Sequence, residues 1–329
     1  MNRQTDLLTV SNLSIGFQLE KEKFLAVEDV SFSIKKGESL GIVGESGCGK
    51  SVTAMSIIRL LPIPPAYLSG VITFDGTDIL KADIEALHKI RGKEIGVVFQ
   101  EPSTSLNPTK TIGDQISEVF TTHNPELSKE IIKNKAVELL SKVGIPNAQE
   151  RFGSYPHEFS GGMKQRVSIA IAIALNPKLL IADEPTTALD VTIQAQILDL
   201  IKKIQNERKS SVLIITHNMG IVADFCDRIV VMYAGRIVES AKTKDLFSST
   251  SHPYTIGLLN SIPSATSDKK KLYSITGSVP HPKEYRKGCR FFDRCEKRIT
   301  ECESDVPPPL FKVGEGHKAA CWLYENTAE

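Results

Sequence analysis

In the first hundred residues apolar positions come as short runs, "SLGIVG", "GVITFDG" and "EIGVVFQ", each bounded by glycine or charge. Such runs are what buried or half-buried strands leave in a sequence. Ser51 to Leu61 reads as a helix that Pro62 and the "PIPP" stretch stop. Between Pro102 and Ser160 the runs lengthen into amphipathic stretches such as "KEIIKNKAVELLSKVGI", which predict a helical insertion. Strands return at "KLLIAD", "SVLIIT" and "RIVVMY", separated by helical segments such as "VTIQAQILDLIKKIQNER". This alternation predicts an α/β core with a largely parallel sheet. Beyond Ser240 the pattern breaks into pieces rich in Pro, Ser and Lys, so a domain boundary is expected near there, with 1–240 as one domain and 241–329 as an extension. No internal repeat is evident.

Composition narrows the class. The chain has 329 residues, enough for one large domain with an appendage. Forty basic and 39 acidic residues leave a formal charge of +1, which gives no electrostatic reason to expect a nucleic-acid partner. The longest apolar run, around Val167–Leu175, suits a buried helix and is too short to span a bilayer. The N-terminal "MNRQTDLLTV" lacks the basic-then-apolar pattern of a signal peptide. A cytosolic setting is therefore expected, in which clustered thiols read as metal ligands or reactive groups more readily than as disulfides.

Three segments carry chemistry. "GESGCGKS", from Gly44 to Ser51, fits G-x-x-x-x-G-K-[ST] between an expected strand and helix, the context a phosphate-binding loop requires. Its glycines let successive N–H groups and the helix N-terminus face phosphate oxygens. Lys50 would reach the β- and γ-phosphates of a nucleotide, and the Ser51 hydroxyl would ligate Mg²⁺. The bland alternative is an ordinary glycine-rich turn; Cys48 reads as a small tolerated residue and not a nucleophile. "KLLIADEP" delivers Asp183 to the Mg²⁺ shell through water, and Glu184 can polarise an attacking water as general base, unless the acidic pair merely caps a helix. "FSGGMKQR" places Ser160 as an N-cap, with Gly161 and Gly162 exposing the first helical N–H groups.

Together these segments resemble the ATPase subunits of ATP-binding cassette (ABC) transporters. "GESGCGKS" resembles the Walker A motif, "LLIADE" Walker B, and "FSGGMKQR" the L-S-G-G-Q signature, from which Phe159 and Met163 depart. Gln100 matches the Q-loop, Thr187–Asp190 the D-loop and His217 the switch histidine. The resemblance implies an ABC-type P-loop ATPase: a RecA-like core with an antiparallel β subdomain and a helical subdomain over about 102–175. It implies ATP and Mg²⁺ bound by Gly44, Glu45, Ser46, Gly47, Cys48, Gly49, Lys50, Ser51 and Asp183, with Gln100 also on Mg²⁺. Glu184, His217 and Gln100 are the implied catalytic set; sequence alone leaves open whether Glu184 or His217 dominates water activation. Phe17 is the expected adenine-stacking aromatic, with Phe24 second and core packing the alternative. Ser160, Gly161 and Gly162 would cover the ATP of a second subunit.

"FQEPSTSLNPTKTIGDQI", "GESGCGKSVTAMSIIRLLP" and "SHPYTIGLLNSIP" resemble the dipeptide and oligopeptide importer group, whose members carry a C-terminal extension. That implies a peripheral subunit on the cytoplasmic face of the inner membrane. It also implies a second ATPase subunit (by family habit a paralogue), two transmembrane permease subunits and an extracytoplasmic solute-binding protein. It implies uptake of di- or oligopeptides, with a nickel chelate, glutathione or an oligosaccharide as the alternative solute. A soluble cassette protein or an exporter ATPase is the competing class. Four cysteines in the extension, Cys289, Cys295, Cys302 and Cys321, are spaced C-x5-C-x6-C-x18-C, wider than paired structural zinc ligands. In the group the segment resembles, such thiols hold a [4Fe–4S] cluster; zinc or bare thiols are the alternatives, with His317 a substitute ligand or a surface residue. Metal–thiolate bonds would also stabilise a tail whose "KKK" and "PPP" stretches promise little core. Cys226, beside Phe225, reads as packed.

Overall fold

A computed structural model describes residues 6–19, 22–187, 189–262 and 274–327. Ala188 of the expected D-loop, Pro263 and the "KKK" stretch lie outside them. In chain order the strands are β1 (Asp6–Leu19), β2 (Glu22–Lys35), β3 (Ser39–Val43), β4 (Ala66–Phe74), β5 (Thr77–Asp78) and β6 (Ile95–Val98). They continue with β7 (Leu179–Asp183), β8 (Ser211–Thr216), β9 (Arg228–Tyr233), β10 (Arg236–Lys242), β11 (Phe311–Gly314) and β12 (His317–Ala319). The helices that matter below are α1 (Lys50–Ile57), α2 (Ile112–His123), α3 (Lys129–Lys142), α4 (Gly161–Ile173), α5 (Val191–Arg208) and α6 (Pro253–Asn260). The chain divides into two compact units: a helical unit built on Lys35–Glu38 and Lys81–Ile214, and a loop-bearing unit of Asp6–Ile34, Ser39–Leu80 and the chain from Ile215 onward.

The loop-bearing unit contains an antiparallel sheet in the order β2-β1-β4-β5, with Leu8 opposite Phe74 and Phe17 opposite Ala66. It also contains β3, fully buried and parallel to β9, with Leu40 opposite Arg228 and Val43 opposite Val231. Strand β9 turns back into antiparallel β10 through Ala234 and Gly235, both at positive φ (46° and 79°), the backbone a tight two-residue hairpin needs. Ser240, the expected boundary, falls inside β10, and the chain beyond it adds β12 and then β11 to the same edge, with Glu239 opposite Ala319. Helix α1 ends before Leu61 because Arg59 turns left-handed (φ 49°).

The extension has anchors that its composition did not advertise. Phe291 is buried against Tyr233 (ring centroids 5.2 Å, edge-on), Tyr254 (5.4 Å) and His252 (5.9 Å). Burying one such ring is worth about 2–3 kcal/mol. The fully buried Glu239 carboxylate accepts the Ser251 and His252 N–H groups at 2.8 and 3.0 Å and pairs with His317 Nε2 at 2.7 Å. Burial by itself would raise the Glu239 pKa; the hydrogen bonds outweigh it and hold it below the usual carboxylate range. His317 is thus neither a surface residue nor turned to the thiols: it is buried on Glu239. Glu28 pairs with both Arg290 and Arg236 (3.0 Å to the latter). Aromatic packing and buried ion pairs, and not thiolate chemistry alone, tie this region down.

In the helical unit β6 and β7 run parallel, Ile95 opposite Leu179 and Val98 opposite Ala182, with β8 beside β7. Thr111, Ser128, Ser160 and Asp190 each accept a backbone N–H at the start of α2, α3, α4 and α5, satisfying a donor the helix cannot. The apolar run around Val167 is the buried body of α4, as the sequence predicts.

Candidate nucleotide site

The buried strand β3 ends at Val43, and α1 starts at Lys50, so the loop from Gly44 to Gly49 is stretched between a fixed strand and a helix N-terminus. Gly49 caps the helix at φ 101°, where a Cβ would meet Val27 Cγ2 at 2.8 Å. A side chain there would be both strained and crowded. Ser46 and Gly47 form the exposed tip, while Cys48 is buried and its thiol pKa is raised chiefly by that burial. A protonated, covered sulfur is no nucleophile. Lys50 is only 4% exposed, and its ammonium donates to the Gly44 and Glu45 carbonyls at 2.8 and 2.9 Å. Ser51, the next residue of α1, is half-buried.

Glu45, expected on the nucleotide, also makes contacts of its own with distant side chains. Its N–H donates to the Tyr254 hydroxyl at 2.8 Å, and its carboxylate takes both arms of the Arg294 guanidinium, at 2.6 and 3.0 Å. Tyr254 is fully buried, and burial raises its hydroxyl pKa far above the ordinary range, so it remains neutral. Sequence reasoning missed both partners: Tyr254 lay inside a quoted stretch and Arg294 beside Cys295, but neither carried a signal of its own.

In the helical unit β7 brings Asp183 to its buried end, and Glu184 follows at φ 45°. A non-glycine residue in the left-handed region is costly and characteristic of functional elbows. Glu184 is buried, and one carboxylate oxygen accepts from Gln100 Nε2 at 3.0 Å and from the Thr187 hydroxyl at 2.8 Å. The structure therefore joins three residues that the sequence assigned to separate motifs, the Q-loop, the acidic pair and the D-loop. Ser160 Oγ accepts from Met163 N at 3.3 Å, leaving an exposed helix start at Ser160 and Gly161. At Gly162 a Cβ would lie 2.8 Å from Ile193 Cγ2, so that glycine serves the approach of α4 to α5. Phe159 is buried, with the Arg151 guanidinium over its ring, which explains an aromatic where the signature has leucine.

The remaining assigned residues lie in the loop-bearing unit. Phe17 and Phe24 are half-buried neighbours, 6.0 Å between ring centroids, and Phe24 is in turn 6.0 Å from His281 of the extension. His217 is exposed just after β8. Cys226 is buried, as expected of a packed thiol. In the extension burial pushes the Cys321 thiol up to about 12, with the charges of Cys289, Cys295 and Cys302 adding to it, and pushes Cys289 up to about 11. These thiols stop short of a coordination sphere, since among the described residues no group of three or more His, Cys, Asp or Glu side chains is disposed to hold a metal ion.

Residues 27–187 match the family model described as "ABC transporter", and residues 238–302 match "Oligopeptide/dipeptide transporter, C-terminal region". The chain is 49% identical over its whole length to the oligopeptide transport ATP-binding protein OppD of Bacillus subtilis, covering 92% of it. It is 45% identical to the dipeptide transport ATP-binding protein DppD of the same organism, with 98% of this chain and 96% of that one aligned. It is 48% identical to a putative peptide import ATP-binding protein of Brucella ovis, over the full length of both. Among solved structures, the dimeric post-hydrolysis state of the ATP-binding cassette MJ0796 bound to ADP and Pi aligns with TM-score 0.64 at 29% identity, covering 72% of this chain and 98% of that one. CbiO1 of Clostridium perfringens, part of an ABC transporter complex, aligns with TM-score 0.62 at 30% identity, covering 74% of this chain and 91% of that one.

Proposed function

We infer the function from membership: this chain belongs to the ABC transporter family, among the ATP-binding proteins of oligopeptide and dipeptide transport. It is the ATPase subunit of a peptide ABC importer, coupling ATP hydrolysis to uptake. The observation that carries the chemistry is the phosphate loop itself, with a buried lysine ammonium parked on its own loop carbonyls at the start of a helix. Phosphoryl transfer asks the protein mainly to position the nucleotide and neutralise charge, and such a loop does both.

We assign the roles as follows. The loop N–H groups from Ser46 to Gly49, with Gly44 and Lys50, take the phosphates, while the Glu45 N–H stays on the Tyr254 hydroxyl. Ser51, with Gln100 and Asp183, serves Mg²⁺, which when bound neutralises charge between the β- and γ-phosphates. Glu184 is the general base, oriented by its hydrogen bonds to Gln100 and Thr187, with His217 on the γ-phosphate. Phe17 stacks on adenine. The exposed helix start at Ser160 and Gly161 covers the nucleotide of a second ATPase subunit, which we take to be a paralogue, since a capped N-terminus is a ready anion site. Importer relatives imply permease and solute-binding partners; two permease subunits and a peripheral position on the cytoplasmic membrane face are the finer reading. Among the described residues no helix is long and apolar enough to cross a membrane.

The proposal of a [4Fe–4S] cluster on Cys289, Cys295, Cys302 and Cys321 rests on the soft donor set alone. The present side-chain arrangement does not amount to a site for it, and no step of hydrolysis is routed through it. Anaerobic purification with the permease partners tests both readings at once. Peptide-stimulated ATP hydrolysis is expected, and its absence sinks the importer reading. Four irons per chain with a brown visible spectrum is the cluster result; a colourless, iron-free protein removes the cluster and leaves the ATPase standing.

A further inference from the structure

The extension does more than trail behind the cassette, because one of its side chains grips the phosphate loop. Arg294 comes from the cysteine-bearing segment, and its side chain is 6% exposed. Its fork is spent on the Glu45 carboxylate, at 2.6 and 3.0 Å, while its Nε donates to the Thr276 carbonyl at 2.8 Å and Nη2 to the Gly277 carbonyl at 3.3 Å. Tyr233 and Phe291 flank the guanidinium at 5.7 and 6.0 Å. Arg294 is thus immobilised by the extension before it meets the loop. A bidentate guanidinium–carboxylate pair fixes orientation as well as distance. Tyr254, packed at a tilt on the same Tyr233 and edge-on to Phe291, holds the Glu45 N–H.

The chemistry of Glu45 makes the grip consequential. A carboxylate on a loop that must receive a polyphosphate repels its ligand unless something cancels the charge and turns it aside. We propose that Arg294 is a positioning residue for nucleotide binding: through Glu45 it holds the phosphate loop in its receiving curl and shields the incoming phosphates from that loop's own negative charge. The assignment rests on the ATPase reading above. It makes the extension a working part of the nucleotide site, so whatever loosens the segment around Arg294 is felt as weakened affinity for ATP.

The test uses the full-length chain, with equilibrium binding of Mg–ATP and amide hydrogen exchange over residues 45–48 as readouts beside hydrolysis. Arg294→Gln is expected to weaken ATP about tenfold, raising KM while kcat at saturating ATP stays within about twofold. Loop amides should exchange faster. Adding Glu45→Gln to Arg294→Gln should restore most of the affinity, because the stranded carboxylate is gone; a merely structural loss would not be rescued this way. Wild-type affinity in Arg294→Gln, or a double variant no better than the single one, overturns the proposal. Should Arg294→Gln fail to fold, Glu45→Asp leaves the extension intact but withdraws the carboxylate from the fork. It must weaken ATP to a similar degree, and unchanged affinity there also overturns the proposal. A wild-type chain that binds no ATP is a different result, since it fails the ATPase reading instead.

Discussion

Glu45 and Glu184 each follow a fully buried parallel strand, yet the distant side chains that bond them come from different places. Glu184 is fixed by Thr187, three residues on, and by Gln100, 84 residues back in the same unit. Both belong to motifs that the sequence already marks. Glu45 is fixed by Tyr254 and Arg294, 209 and 249 residues away, in a region the cassette motifs do not include. The Gln100 and Thr187 bonds of the acidic elbow lie within the cassette. The Gly44–Ser51 loop is bonded through Glu45 to the C-terminal extension. On the proposal above, grip on nucleotide depends on a part of the chain outside the shared domain, and the acidic elbow does not.

The contrast can be broken or sharpened in several ways. The largest effect is expected from Glu184→Gln. If the elbow supplies only the chemical step, hydrolysis should fall about a thousandfold while Mg–ATP affinity stays near wild type; a parallel loss of affinity would mean that the two regions are not separable. Next is acid. Burial holds the His252 imidazole neutral down to about 4, from an ordinary 6.5. A depressed histidine pKa gives stability that is complete above 6.5 and drains as the pH falls from 6.5 towards 4, by about 3 kcal/mol in total. His252 Nδ1 also accepts the Tyr254 N–H at 3.1 Å, so asparagine can replace it as a cap. Chemical denaturation of His252→Asn at pH 7 and pH 4 should show that loss largely removed; an identical acid profile would place the lability elsewhere.

A smaller effect is expected at Gly49. Alanine there meets the positive φ and the Val27 contact together, costing about 2 kcal/mol and weakening ATP binding, while Glu184 and its partners keep their geometry. Thermal unfolding and nucleotide titration on the same sample check it. The smallest is Ser160→Ala. Loss of the cap at the start of α4 should cost about 1 kcal/mol and lower hydrolysis by the assembled ATPase pair, without changing ATP affinity of the isolated chain. Equal hydrolysis by the assembled variant would detach the helix start from catalysis.

Much of the candidate site's local backbone was legible in the residues alone because its determinants are local. A Gly-Lys-Ser after an apolar run makes a phosphate loop through the conformational freedom of residues within a few positions of one another. Ser160 caps its helix through a bond to Met163, three residues on. The strands "SLGIVG", "KLLIAD" and "RIVVMY" announce themselves because burial on both faces needs unbroken apolar side chains. Where a reading missed, the missing cause was remote. His317 looked like a surface residue or a spare ligand; it is buried because β12 pairs with β10 and sets its ring against Glu239. The boundary near Ser240 followed a change of composition, while hydrogen bonding carries the sheet past it into β12 and β11.

Read as a string, this protein declares its cassette chemistry, its importer kinship and the order of its strands, since periodicity and short motifs depend on neighbours along the chain. What stays silent until the chain has closed on itself is which of forty basic residues will meet which acid. Arg294 has no local feature that separates it from an ordinary exposed arginine. Its partner is chosen by Tyr233, Tyr254 and Phe291 coming together from distant segments, a contact whose loop-closure entropy is repaid only in the folded core.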